Sequence, residues 1–294
     1  MSDSTIQKVL LLVEDSAAAR TATRFAALLA ERCGAAVTAF SVIHRAEVRA
    51  ELEGALAEAA TTLGKSAVSV ETARVEGDLV REAAKKAREG YDVTVLGTSP
   101  RGSRESRRLS LAVWQLAKTV ETPVMMVPES AKPSLDRILL CTGGERYIEK
   151  GARFVATLAQ CARAQVSLLH ILPVAPEMYR AWSQPRSSEE ILKGESRLAR
   201  QLRGQLEIFR KEGIEANLVV EESDGIERTI FDVSRRVEAN LIVVGSSPHR
   251  GALRTSMLGN VPREVITRSS VPVLVVRSSP TGLLKDLWQI ITEG

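Results

Sequence analysis

At 294 residues the chain is longer than one ordinary hydrophobic core requires and implies two domains. Hydrophobic residues make up 44% and charged residues 26%, as in an ordinary globular protein, and a net charge of +4 is too balanced to argue for nucleic acid. No apolar run approaches the roughly 20 residues that span a bilayer, and "MSDSTIQKVLLLVEDS" has no signal-peptide pattern, so a cytoplasmic protein without a membrane segment is expected. Cys33, Cys141 and Cys161 have no metal-site spacing, and any disulfide scheme leaves one of them unpaired. A reducing compartment is the economical reading.

In chain order, Val9–Val13 is a short apolar run suited to a strand buried on both faces. Residues 17–33 place Phe25, Leu28, Leu29 and Cys33 at helical spacing. A strand over 36–43, a helix through 46–63 and a strand near 67–75 follow. Asp78 stands where an N-cap would open a helix over 79–89, because its carboxylate can accept free backbone N–H groups. "DVTVLG" (92–97), a helix around 106–119 and "PVMMV" (123–127) complete five strands and four helices. Alternation of this kind predicts a parallel, doubly wound sheet with helices on both faces.

The pattern then repeats. At an offset of 129, "VLLLVEDS" (9–16) lies over "ILLCTGGE" (138–145), and Phe25, Leu29, Ala30 and Val37 meet Phe154, Leu158, Ala159 and Val166. At 148, "VTVLGTSP" (93–100) lies over "LIVVGSSP" (241–248); at 149, "TPVMMV" (122–127) lies over "VPVLVV" (271–276). Three segments in the same order mean two copies of one fold. The expected division is a first domain over 1–130, a second over 135–278 and a helical tail over 279–294, with linker residues 129–135 between the domains. The extra length of the second copy falls between Ile171 and Leu241, and includes the 174–187 stretch.

Ligands of open parallel sheets sit outside the carboxyl ends of the strands, where chain order reverses. In each copy that crevice lies between the first and fourth strands. "VVGSSPHRG" (243–251) is the end of a fourth strand: the apolar run stops at Gly245, where a ligand can lie against bare backbone. The helix that follows presents free N–H groups, a geometry that favours a phosphate.

These residues resemble the universal stress protein family. Its signature after the fourth strand is Gly-x2-Gly-x9-Gly-Ser/Thr, with the next strand opening at a Pro-Val. Gly259-Asn260-Val261 stands thirteen residues before Pro272-Val273, and "SLLHIL" (167–172) and "VEGDLVREAAKKAREGYDVTVLG" (75–97) are equally similar. The resemblance covers both copies. It implies two tandem five-stranded doubly wound sheets of the Rossmann-like, adenine-nucleotide alpha-hydrolase-like type. It also implies a stress-response regulator that binds ATP or another adenine nucleotide, with or without Mg.

The implied nucleotide site in the second copy comprises Gly143, Ile171, Gly245, His249, Gly251, Gly259 and Asn260. Gly245 and Gly259 hold the first and third glycine positions one residue further apart than usual, His249 stands for the second glycine, and Asn260 replaces the hydroxyl residue. Gly143 stands where an acid is expected. The first copy is degenerate: Glu14, Val42 and Gly97 are kept, but Pro100 and Ser110 replace the second and third glycines. Proline has no N–H to offer, and Ser110 brings a Cβ, so the first site is expected to be lost. The resemblance further implies a pseudo-two-fold pairing of the copies through "PVMMV" and "PVLVV", with a homodimer and a partner protein as open questions.

Other readings compete. Gly97 and Gly245 are also what a strand needs merely to end, and Gly259 also suits close helix packing. "CTGGER" (141–146) is faintly similar to the Ser-Gly-Gly-x-Asp-Ser loop of ATP pyrophosphatases but lacks the Asp-Ser. The arginine run "PRGSRESRR" (100–108) reads as a solvated face or a phosphate or acidic-partner contact, and without interleaved aromatics it argues against single-stranded nucleic acid. No Walker lysine, GxSxG or HExxH motif is present, so neither catalytic residues nor a metal site are expected. A nucleotide-free scaffold and a slow ATPase are the alternatives to a binding module.

Overall fold

The computed structural model describes residues 5–43, 49–67, 69–98, 115–117, 119–120, 122–143, 149–174, 187–246 and 260–277. The first half contains β1 (Lys8–Leu12), α1 (Ala17–Cys33), β2 (Ala36–Ile43), α2 (Arg49–Leu63), β3 (Val70–Glu76), α3 (Leu79–Ala87), β4 (Val93–Thr98) and β5 (Val124–Pro128). Residues 115–117 and 119, between β4 and β5, are helical. The second half contains β6 (Arg137–Thr142), α4 (Glu149–Ala162), β7 (Gln165–Leu172), α5 (Ser188–Lys193), α6 (Arg197–Lys211), β8 (Ala216–Glu222), α7 (Ile226–Arg236), β9 (Leu241–Ser246), α8 (Asn260–Arg268) and β10 (Val273–Arg277). The boundaries of α1 and β2 coincide with those expected from periodicity. The additional second-half sequence supplies α5, joined to α6 by Arg203, whose guanidinium donates to the Leu192 and Gly194 carbonyls.

Local chemistry explains where the helices begin and end. Ser16 caps α1 by accepting the Ala19 N–H at 3.0 Å, and Gly34 closes it at φ 68°, a left-handed conformation that glycine adopts without Cβ strain. Asp78 caps α3 through the Arg81 N–H at 2.9 Å, as the sequence predicts. Ser187 and Glu190 form a reciprocal capping box on α5, which gives that short helix a defined start.

The two five-stranded sheets join edge to edge into one ten-stranded sheet, ordered β3-β2-β1-β4-β5-β10-β9-β6-β7-β8. Every neighbouring pair is parallel except the central one, where β5 and β10 run antiparallel with Val124 opposite Val275, Met125 opposite Leu274 and Met126 opposite Val273. These apolar side chains are fully buried, so the junction is continuous with the core. One face of the sheet packs against α1, α2, α4, α5 and α6; the other packs against α3, the 115–120 segment, α7 and α8.

The duplication extends to the amino edge of each half. The Asp92 carboxylate accepts the Gln7 and Lys8 N–H groups at 2.8 Å each, and the Asn240 carbonyl oxygen accepts the Arg137 N–H at 2.9 Å. Each side chain ties the start of a half's first strand to the turn before its fourth. The linker is packed rather than loose: Ala131 and Leu135 are buried, and the Thr21 hydroxyl donates to the Glu129 carbonyl at 3.0 Å. Cys33 and Cys161, which the sequence alone did not link, form a disulfide between α1 and α4. Among the described residues, no helix is long and apolar enough to cross a membrane.

Candidate functional site

Chain order reverses between β1 and β4 in the first half and between β6 and β9 in the second, placing a crevice at the carboxyl ends of each pair. Strand register brings the expected residues into these crevices. Leu12 pairs with Phe40 and Leu11 with Val95, so Glu14 is level with Val42 and Val13 with Gly97. Thr142 pairs with His170 and Cys141 with Val244, so Gly143 is level with Ile171 and Thr142 with Gly245. Asn260 is the first residue of α8, where a helix has N–H groups without intrahelical partners. The structure therefore places Gly143, Ile171, Gly245 and the start of α8 at one end of one half, and Glu14, Val42 and Gly97 at the corresponding end of the other. His249, Gly251, Gly259, Ser110 and the arginine run lie outside the described residues.

The first crevice is closed over its glycine. In the first half, the opening turn of α1 rests directly on Gly97. A Cβ at that position would come within 2.4 Å of the Ala18 carbonyl carbon and 2.6 Å of both the Ala18 oxygen and the Ala19 nitrogen. These are backbone atoms, which cannot swing away. Gly97 thus has a packing role: it seats a helix against a strand. The same turn uses its own capping, since the Ser16 hydroxyl already accepts the Ala19 N–H. In the second half Gly143 and Gly245 stand at the ends of their strands, and the residues equivalent to the opening of α1, 144–148, lie outside the described residues.

The electrostatics of the first crevice follow from its closure. The Glu14 carboxylate sits half-buried just beyond β1 with no charged or hydrogen-bonding partner among the described residues, and desolvation pushes its pKa above the ordinary carboxylate value. Val42, level with it, is buried.

In the second crevice, His170 is buried and its Nδ1 lies 3.0 Å from the Thr142 carbonyl. A carbonyl only accepts, so Nδ1 carries the proton. Burial lowers the His170 pKa more than this hydrogen bond raises it, and the ring is held neutral as a tether for the residue before Gly143. Cys141, one residue earlier, has its thiol pushed up to about 12 by burial and is inert as a nucleophile. The tether of His170 to Thr142 depends on the register of β6 with β7 and has no local sequence signal. The closure over Gly97 has a sequence correlate, the three alanines at 17–19, whose small side chains permit a close helix approach.

Comparison with known proteins agrees with the duplicated architecture. The family model described as the universal stress protein family matches residues 5–128 and again 134–277. A crystal structure of a universal stress protein from Archaeoglobus fulgidus DSM 4304 is similar with a TM-score of 0.69 at 18% identity, covering 94% of this chain and 99% of that one. A functionally unknown protein from Pseudomonas aeruginosa PAO1 is similar with a TM-score of 0.64 at 19% identity, covering 98% of each chain. The cytoplasmic domain of a prokaryotic cation chloride cotransporter is also similar, with a TM-score of 0.55 at 10% identity over 93% of this chain and 96% of that domain. No curated protein matches the chain by sequence. The structural likenesses establish the fold, and the third of them shows the same architecture within a different kind of protein.

Two predictions follow from the first crevice. Gly97→Ala should destabilise the chain by about 1–3 kcal/mol, because its Cβ overpacks a backbone contact. An unchanged midpoint in chemical denaturation would contradict the packing role of Gly97. For Glu14, a raised folded-state pKa means that stability is fully present below the ordinary value near 4.5 and is lost as pH rises through the folded value. Glu14→Gln should therefore raise the melting temperature at pH 7 and leave it unchanged below about pH 4. A shift of the same size at both pH values would sink the desolvation argument.

Proposed function

Because the chain belongs to the universal stress protein family, we propose that it is a regulatory nucleotide-binding module that holds one adenine nucleotide, ATP foremost, in the crevice of its second half. The observation that supports this reading is the strand register that sets Gly143, Ile171 and Gly245 at one end of the second half, beside the start of α8. The base and ribose would lie across the ends of β6, β7 and β9, against Gly143, Ile171 and the Gly245 backbone. The phosphates would meet the loop containing His249 and Gly251 and the α8 end at Gly259 and Asn260, where free N–H groups favour an anion. A Mg ion would arrive with the phosphates rather than through protein ligands.

The sequence supports the asymmetry. The first half, with Pro100 and Ser110 in place of glycines, is proposed to serve as a packing partner and not as a second site. A binding role rather than a catalytic one fits the local chemistry, since the Cys141 thiol is held protonated and His170 donates its Nδ1 proton to Thr142.

Titration calorimetry on the full chain tests this directly, with ATP supplied in the presence and absence of Mg. One ATP per chain is expected, with heat abolished in Gly245→Val. A stoichiometry of two would show that the first crevice also opens. No heat with ATP, ADP or AMP would overturn the reading in favour of a nucleotide-free scaffold.

A further inference from the structure

The two helices that share one face of the sheet meet end to end at their carboxyl termini. Cys33 is the last residue of α1 and Cys161 the penultimate residue of α4, with Cα atoms 4.9 Å apart and the sulfurs bonded. That separation lies within the range a disulfide requires without moving the backbone. The positions are 128 residues apart, one short of the 129 offset of the duplication, so the bond sits where the pseudo-two-fold axis brings the same end of both helices together. Arg32 reinforces the contact: its guanidinium reaches the Ala162 carbonyl at 3.4 Å and Asp136 at 3.8 Å.

The halves do not depend on this bond to stay together. They already share the β5–β10 hydrogen bonds, a packed linker and one continuous core. Nor is the bond sealed in that core, because Cys33 and Cys161 are both only half-buried and open to small thiols. The remaining cysteine is set apart. Cys141 lies in β6 with its side chain toward the opposite face of the sheet, and its thiol is held protonated up to about 12. A thiol that does not ionise does not attack disulfides, so exchange is confined to the pair.

We propose that Cys33 and Cys161 form a reversible dithiol–disulfide site, a redox-set staple between the two halves, whose co-reactant is a low-molecular-weight disulfide. One cysteine thiolate attacks the small disulfide RSSR, giving a protein mixed disulfide and one RS⁻. The second cysteine thiolate then attacks the protein sulfur of that mixed disulfide, closing the Cys33–Cys161 bond and expelling the other RS⁻. The two protons lost by the cysteines end on two RSH. The small disulfide is reduced by two electrons and the protein oxidised by two.

Helix carboxyl ends disfavour thiolates, while the neighbouring Arg32 guanidinium favours them, and a small thiol can reach the bond from solvent. The staple closes a loop of more than a hundred residues, so it restricts the unfolded chain strongly. For a chain of this size the oxidised form should melt roughly 5–10 °C higher than the reduced form.

The test equilibrates the folded full chain in buffers of varied reduced-to-oxidised glutathione ratio, quenches it by acid, and reads intact mass and non-reducing gel mobility. The expected result is a reversible loss of two hydrogens, one internal bond per chain and a higher melting temperature in the oxidised form. Cys141→Ala should behave like the parent, and Cys33→Ser and Cys161→Ser should show neither the internal bond nor the redox-dependent shift. Three results would each overturn the proposal: a bond that resists dithiothreitol in the folded chain, a pair that stops at two separate glutathione adducts, and oxidised and reduced forms that melt together.

Discussion

The antiparallel pairing of β5 with β10 is the interaction on which the rest of the molecule depends. A parallel five-stranded sheet leaves unpaired N–H and C=O groups along its outer strands, and an exposed apolar edge invites association. Here the two apolar edges satisfy each other within one chain, with Met125 opposite Leu274 at the centre. Antiparallel pairing of two equivalent edges generates a two-fold relation between the halves. That relation in turn sets α1 beside α4, brings Cys33 to Cys161, and sends the two crevices to separate ends of the molecule. Because this pairing uses both edges internally, β3 and β8 are the outermost strands that remain.

On this near-symmetric scaffold the first crevice is closed by a local packing choice. The first half seats the opening turn of α1 on Gly97, so helix and strand backbones touch and no room is left above the glycine. The carboxylate that accompanies that crevice, Glu14, is left desolvated and unpaired among the described residues. In the second half Gly143 and Gly245 stand at the level where its strands end. The scaffold itself is held by strands and helices common to both copies.

Much of this architecture was legible in the sequence. Continuous apolar runs ending on Gly or Pro located the buried strands, helical spacing located α1, the repeat offsets gave the duplication, and the family resemblance pointed to the strands that meet at the centre. The capping of α3 by Asp78 was readable because a carboxylate before a helical run has a defined backbone partner. The candidate site was only half legible. Gly97 and Gly245 look alike in sequence, since a strand-end glycine serves a helix or a ligand equally well. The seating of α1 on Gly97 is a tertiary quantity. The Cys33–Cys161 bond was hidden for the same reason: two cysteines far apart in sequence become neighbours only after the halves have paired. His170 could be placed in its strand, but its tether to the Thr142 carbonyl depends on the register of β6 with β7.

The central claim, one nucleotide site on a two-fold scaffold, is most directly tested by hydrogen–deuterium exchange of the full chain with and without saturating ATP. The account predicts slowed exchange at the ends of β6 and β9, around Gly143 and Gly245, and at the start of α8. Exchange around Glu14 and Gly97 should be unchanged. Protection around Glu14 and Gly97, or no protection in either half, would contradict it.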